Sequence, residues 1–188
     1  TLKIDTSKLS GTDGGSIAVS TSPNSQGKGG SLIVNARDVE ISGTSANEQF
    51  SSGLFAITES IGEAGEIQVT TDKLIVRDGG VISATTDNQG KGGNVTVTAN
   101  ESVEITGSSQ NNLLFSRLLT DTFGDGDAGS LKIDTPSLFL ENNALISTST
   151  YARGNAGNLT VNAKDTVSLK NANIFTTVEV GGEGSGGN

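Results

Sequence analysis

The stretch GGNVTVTANESVEIT, residues 92–106, follows a pair of glycines with two short runs that place an apolar residue at every second position. Period-two alternation sends successive side chains to opposite faces of a β-strand. The stretch therefore predicts two short strands that each bury one face, and the inward residues are Val95, Val97, Ala99, Val103 and Ile105.

The pattern occurs six times along the chain. The first apolar residues of the six copies are Leu2, Leu32, Ile67, Val95, Leu131 and Leu159, at successive spacings of 30, 35, 28, 36 and 28. A repeat unit of about 28 residues with occasional insertions explains these spacings. Each unit adds a third alternating segment, such as VISATT from Val81, before a glycine-rich turn.

Such units bury their apolar faces only when they are stacked, because each strand then pairs with its equivalents above and below. We therefore predict an all-β fold, a right-handed parallel β-helix of about six coils with three short strands each. A β-propeller is the main alternative, but it needs four strands per repeat and usually an aromatic signature. Aromatic residues make up only 4% of this chain, which favours the solenoid.

Composition supports one ordered domain and excludes several kinds of partner. Alternating Val, Ile and Leu argue against disorder, although the hydrophobic content is only 32%. The net charge of −9 argues against binding to nucleic acid or to anionic lipid, both of which require basic patches. We interpret residues 1–188 as a single solenoid segment, a fragment of a longer repeat protein.

Two runs carry a family resemblance, GKGGNVTVTANESVEITGSS from Gly90 and GNAGNLTVNAKDTVSLKNANIFTT from Gly154. They resemble the repeat region of large filamentous-haemagglutinin-like exoproteins, the adhesins of two-partner secretion systems that are frequent in cyanobacteria. The secretion domain of that family carries NPN-type motifs, and the nearest sequence here is SPNS at Ser22. The resemblance therefore implies a shaft segment of the repeat region.

The resemblance also implies a location and partners. We expect an extracellular or bacterial cell-surface protein that displays binding loops on a rigid rod, with a cell-surface glycan or protein as ligand. The parent protein would use an outer-membrane secretion partner. Open strand edges at the two ends would also allow end-to-end self-association.

An enzymatic function is not expected. The chain contains neither histidine nor cysteine, which removes the commonest general base and every nucleophilic arrangement that depends on either residue. A polysaccharide-acting β-helix enzyme with a carboxylate site is the alternative, but the outward positions of the first strand are poor in acid pairs. We expect no cofactor.

Calcium binding has one weak candidate, the turn DTFGDGDAGS with Asp121, Asp125 and Asp127. Calcium requires six or more oxygen ligands, which calcium-binding β-rolls obtain from tandem acidic turns. The corresponding turns of neighbouring units place Lys91 and Arg153 where acids would be needed. A solvated turn explains the sequence better, so we predict no metal.

Serine and threonine recur in the third strand and suggest another alternative. Flat hydroxyl ladders on solenoids can bind ice or carbohydrate. Simple β-propensity and solubility also explain such residues. The ladder positions are Ser20, Ser22, Ser83, Thr85, Ser147 and Ser149, with Thr58 and Thr177 in looser versions.

The two long units exceed the basic repeat by seven and eight residues, inserted after the second strand within residues 43–58 and 107–122. Loops on a rigid scaffold are where binding usually resides. If both insertions project on the same side, they lie about 10 Å apart and form one patch. The candidate binding-loop residues are Phe50, Leu54, Phe55, Asn112, Leu113, Leu114 and Phe115.

Overall fold

The structure is a computed structural model that describes residues 1–25 and 27–188. The described residues form twelve β-strands and no helix. Long and short strands alternate along the chain. The long strands are β1 (Leu2–Gly11), β3 (Ser31–Ser42), β5 (Glu66–Arg77), β7 (Val95–Thr106), β9 (Leu131–Glu141) and β11 (Leu159–Lys170). The short strands are β2 (Ser16–Ala18), β4 (Gly53–Phe55), β6 (Val81–Ser83), β8 (Arg117–Leu119), β10 (Leu145–Ser147) and β12 (Asn173–Phe175).

Two parallel six-stranded sheets result from this alternation. The long strands pair in the order β1-β3-β5-β7-β9-β11, and the short strands follow the same coil order. Each coil therefore contributes one strand to each sheet, which is the architecture of a parallel β-helix. In the described part of the chain, no helix is long and apolar enough to cross a membrane.

The register confirms the predicted repeat. Leu2 pairs with Leu32, and the ladder continues through Ile67, Val95, Leu131 and Leu159 in consecutive coils. Equivalent inward residues therefore stack in columns, and Val97 and Ile105 are fully buried. The core is the narrow interior between the two sheets, filled mainly by Val, Leu and Ile.

The first two segments of each coil are joined in one long strand of ten to twelve residues. The pairing register shifts between Thr98 and Ser102, where β7 pairs with β9. A similar shift occurs between Ala163 and Thr166 in β11. An extra residue at such a bulge bends the strand locally, and both shifts fall where the sequence separates its two apolar runs.

Each coil closes at a glycine corner, where the chain returns from the short sheet to the long one. The amide of Gly93 donates to Ala84 O at 2.9 Å, and that of Gly129 donates to Thr120 O at 2.8 Å. A Cβ on Gly93 would overlap the carbonyl oxygen of Gly65 in the preceding coil. Glycine is needed here because the backbones of successive coils touch directly. The stacked glycines are Gly30, Gly65, Gly93, Gly129, Gly157 and Gly187.

Candidate functional site

The two insertions form hairpins of the same design at the corner opposite the glycines, between a long and a short strand. In the first, Ser45 N donates to Phe50 O at 2.7 Å. In the second, Ser109 N donates to Leu114 O at the same distance. An antiparallel bridge closes each hairpin at its base, between Thr44 and Ser51 and between Ser108 and Phe115.

An asparagine organises the tip of each hairpin. Asn47 Oδ1 accepts from the hydroxyl of Ser45 at 2.6 Å and from the amide of Gln49 at 3.2 Å. Asn111 Oδ1 accepts from the hydroxyl of Ser109 at 2.6 Å and from the amide of Leu113 at 2.9 Å. The tips therefore have the same internal bonding, although their sequences share few residues.

The hairpins lie side by side, across the short turn of the coil between them. The Glu48 Oε2 atom accepts a 2.8 Å hydrogen bond from the amide of Asn111. A Cβ on Gly79, in the intervening turn, would stand 3.0 Å from both Leu114 O and Thr44 Cγ2. The two insertions therefore form one continuous patch, which we call the hairpin patch (residues 44–51 and 108–115).

Both hairpins add seven residues to their coils. Three residues separate Arg77 from Val81 in the coil between the two hairpins, whereas ten separate the equivalent Thr106 and Arg117. The eighth extra residue of that unit is not in the loop. It lies at the bulge of β7, where the pairing with β5 shifts by one residue.

The candidate binding-loop residues other than Phe55 divide into three groups. The tip residues Phe50 and Leu113 are 65% and 74% exposed, and Asn112 is also exposed. Leu114 and Phe115 are partly buried at the hairpin base. The assignment of Leu54 to the binding loop is wrong. It occupies the inward position of β4, fully buried between Ile17 and Ile82, because the hairpin ends before it.

Phe55 points outward from β4 and lies over its own strand. A Cβ on Gly53 would overlap Cζ and Cε2 of the Phe55 ring. The ring therefore covers the backbone at Gly53, where a side chain would otherwise project. It remains partly exposed, and it forms an apolar platform beside the first hairpin.

A groove of about 440 Å³ runs along the outer face of the short sheet beneath the hairpin tips. This volume falls within the range of small-molecule sites, about 300–1,000 Å³. Its apolar lining includes Phe50, Phe55, Leu114 and Leu119. Ser16, Gln49, Ser51 and Arg117 supply polar groups to the same groove. Sequence reasoning missed it, because its floor combines outward residues of several coils.

Arg117 is the one basic side chain among the residues that line this groove. Its Nε is buried and has no hydrogen-bond partner in residues 1–25 and 27–188. Burial lowers the pKa of the guanidinium, and the more distant charge of Asp121 raises it. Arg117 is largely withdrawn from water, and its Nε has no acceptor among the described residues. Such an arginine favours binding of an external anion.

Asp121 lies two outward positions further along the chain, only 2% exposed. Its Oδ1 accepts from Ser147 Oγ at 2.6 Å and from Ser149 N at 2.7 Å in the next coil. Burial raises the pKa of this carboxyl, while these two hydrogen bonds lower it. Asp121 therefore serves the backbone of the next coil as a buried acceptor.

The serines and threonines of the third strand do not form a continuous exposed ladder. Ser20 and Ser22 are exposed in the first coil, but Ser83, Thr85, Ser147 and Ser149 are all buried. The buried hydroxyls are hydrogen-bonded to one another, at 3.2 Å between Ser83 and Thr85 and at 3.0 Å between Ser147 and Ser149. Thr58 is also buried, on the inward side, where it donates to Glu63 O.

The three calcium candidates are separated in the structure. Asp121 is buried over the short sheet, whereas Asp125 and Asp127 are exposed at the glycine corner. Asp127 Oδ1 accepts from the amide and the side chain of Asn155, at 2.8 and 3.0 Å. The described residues contain no group of three or more acidic, histidine or cysteine side chains arranged to hold a metal ion.

An aromatic pair lies next to Asp121 and was also missed from the sequence. The rings of Phe123 and Tyr151 stack with their centroids 4.7 Å apart and their planes at 21°. They belong to consecutive coils and are 46% and 42% exposed. Their separation along the chain equals one basic repeat, and this is the signal that could have revealed the pair.

Comparison of the chain with protein-family models, with curated proteins and with solved structures finds no match in any of the three.

Proposed function

We propose that this chain is a structural and adhesive shaft segment of a large secreted or cell-surface exoprotein. The observation that carries the proposal is the hairpin patch: two hairpins of one design, joined by the Glu48–Asn111 hydrogen bond, project from an otherwise regular solenoid. Regular coils supply a rigid support, and binding usually resides in loops that such a support positions.

The rest of the surface supports a display role. Many outward residues of the long sheet are polar and pair along the coils, as Asn35 does with Asp5 and Asn162 does with Asp134. Such side-chain pairs stabilise neighbouring strands. The hairpin patch interrupts this regular pattern, and the adjoining groove brings together Phe50, Phe55, Leu114 and Leu119.

To test adhesion, the chain is immobilised on beads. The fraction of beads retained on layers of cells and on arrayed surface glycans is then measured. The test variant lacks both Thr44–Phe50 and Ser108–Leu114. Each of the two coils then keeps a three-residue turn, the same length as the turn between Arg77 and Val81 in the coil between them. Thr96→Ala, on the outer face of the long sheet, is the matched control.

We expect the unaltered chain and the control to be retained and the deletion variant to be released, with all three keeping a β-rich circular dichroism spectrum. Equal retention of the deletion variant would move the adhesive surface away from the hairpins. If the unaltered chain is retained on no cell or glycan, the adhesive role is rejected.

A further inference from the structure

We propose that the groove between the hairpin tips and the short sheet binds a carboxylate-bearing saccharide, a chain of uronic acid units. This inference rests on the proposed adhesive function and gives its ligand a chemical class. Three features carry it: the guanidinium of Arg117, the platform of Phe55 and the polar rim supplied by the first hairpin.

Charge complementarity requires an anion. The protein carries a net charge of −9, yet the groove places a basic side chain on its floor. Among the residues that the structure describes, none accepts a hydrogen bond from Arg117 Nε. Because Nε itself is buried, the terminal Nη atoms of the guanidinium would bind the ligand carboxylate, through two parallel hydrogen bonds.

The apolar surfaces fit a sugar ring. Phe55 lies over the backbone at Gly53, and Phe50, at the hairpin tip, lines the same groove. One face of a pyranose ring carries mainly C–H bonds, and it can pack on such an apolar platform while its hydroxyls point to the rim. Ser16, Ser51 and Gln49 place hydroxyl and amide groups there. These groups can both donate and accept, as sugar hydroxyls do.

A peptide fits the groove less well. Extended peptides gain affinity mainly by adding a strand to an exposed sheet edge. The groove crosses the outer face of β2, β4, β6 and β8, and the last three of these strands have a partner on each side. A peptide in the groove would therefore leave its own backbone groups without the partners that a sheet edge provides.

The test measures binding of trigalacturonate by isothermal titration calorimetry, with its fully methyl-esterified form as the neutral probe and triglutamate as the acidic peptide probe. We expect trigalacturonate to bind with an affinity that falls as salt is added, because the contact is ionic. We expect the ester to bind at least ten times more weakly.

Two variants locate the binding. Arg117→Met keeps an unbranched apolar stem and should weaken trigalacturonate binding at least ten-fold, whereas Phe50→Ser removes an exposed ring and should weaken it several-fold. Lys164→Met, on the bend of the long sheet, removes a charge away from the groove and should leave binding unchanged. If Arg117→Met does not fold, Phe50→Ser still tests the site.

The proposal is overturned if trigalacturonate does not bind, if the ester binds equally well, or if neither groove variant weakens binding. Tighter Arg117-dependent binding of triglutamate would assign the groove to acidic peptides and also overturns it. A chain that adheres to cells or neutral glycans but ignores trigalacturonate would retain the adhesive function and lose only this ligand.

Discussion

The carboxylate of Glu48 accepts a hydrogen bond of 2.8 Å from the backbone amide of Asn111, 63 residues further along the chain. The bond joins two hairpins across a coil that has none. A carboxylate that accepts from a backbone amide forms a charge-assisted hydrogen bond, which is stronger than a neutral one. The two insertions therefore behave as one surface, and each positions the other.

Glu48→Ala removes this acceptor and should loosen the second hairpin without unfolding the coil. We expect faster hydrogen–deuterium exchange at the Asn111 amide and at its neighbours in the second hairpin. The free energy of unfolding should fall by no more than about 1 kcal/mol, because the hydrogen bond is exposed to solvent. Unchanged exchange at Asn111 would show that the hairpins are positioned independently.

Val97→Asp should destabilise the fold by several kcal/mol, because Val97 is fully buried and the substitution places an unpaired charge in a narrow apolar interior. Thr96→Asp is the control, since Thr96 points outward between Gln68 and Lys132. It should leave the midpoint of thermal unfolding almost unchanged. Equal midpoints for the two variants would contradict the assignment of Val97 to an inward column.

Gly93→Ala should cost about 1–3 kcal/mol, the range for overpacking a tightly packed site. The new methyl group would overlap the carbonyl oxygen of Gly65 and would push two coils apart. Gly27→Ala is the control, because no atom lies within 4 Å of a Cβ there. Chemical denaturation measures both variants. A Gly93→Ala chain as stable as the control would rule out direct contact between the coil backbones.

Asp121→Asn should change how stability depends on pH. Burial raises the pKa of Asp121 above its ordinary 3.8, so the folded state holds this proton more tightly than the unfolded chain does. The contribution of Asp121 to stability is therefore largest below pH 3.8 and is lost as the pH rises through the folded-state pKa. The asparagine variant keeps an oxygen acceptor for Ser147 and Ser149 but does not titrate.

Thermal unfolding of both proteins across the acidic range checks this. We expect the asparagine variant to gain stability relative to the native protein as the pH rises, and the two to converge in acid. Asp121→Ala, which leaves the amide of Ser149 without its acceptor, should be less stable at every pH. A constant difference between the aspartate and asparagine proteins would contradict the raised pKa.

End-to-end association of the 188-residue chain should appear as a sedimentation coefficient that increases with protein concentration. The outer edges of β1 and β11 have no partner strand within the described chain, and such edges template further pairing. Val167 is 50% exposed in the last coil. Val167→Lys should weaken the association, whereas a concentration-independent monomer would contradict it.

The repeat was predictable because it depends on each segment alone. Alternation within Val95–Ile105 decides which side chains enter the core, and the spacing of equivalent residues decides which of them stack. The register from Leu2 to Leu159 follows from these two patterns. The location of the insertions after the second strand was predictable for the same reason.

The groove and the buried hydroxyls were not predictable, because they depend on contacts between coils. Ser147 and Asp121 both occupy outward positions, and alternation alone predicts that both are exposed. They bury each other across 26 positions of sequence, through a contact between consecutive coils. Leu54 was misassigned because the end of the hairpin follows from the closing pair Thr44–Ser51, which no local pattern indicates.

The glycine corner limits which positions of such a chain can change in sequence while the fold is kept. Any side chain added at Gly93 or Gly129 meets the backbone of the preceding coil, so selection should remove most changes there. The opposite corner carries seven extra residues in two coils, whereas the coil between them has a three-residue turn. Longer loops, and with them new binding surfaces, can therefore be added along one edge of the rod, while the sequence of the other edge stays constrained to glycine.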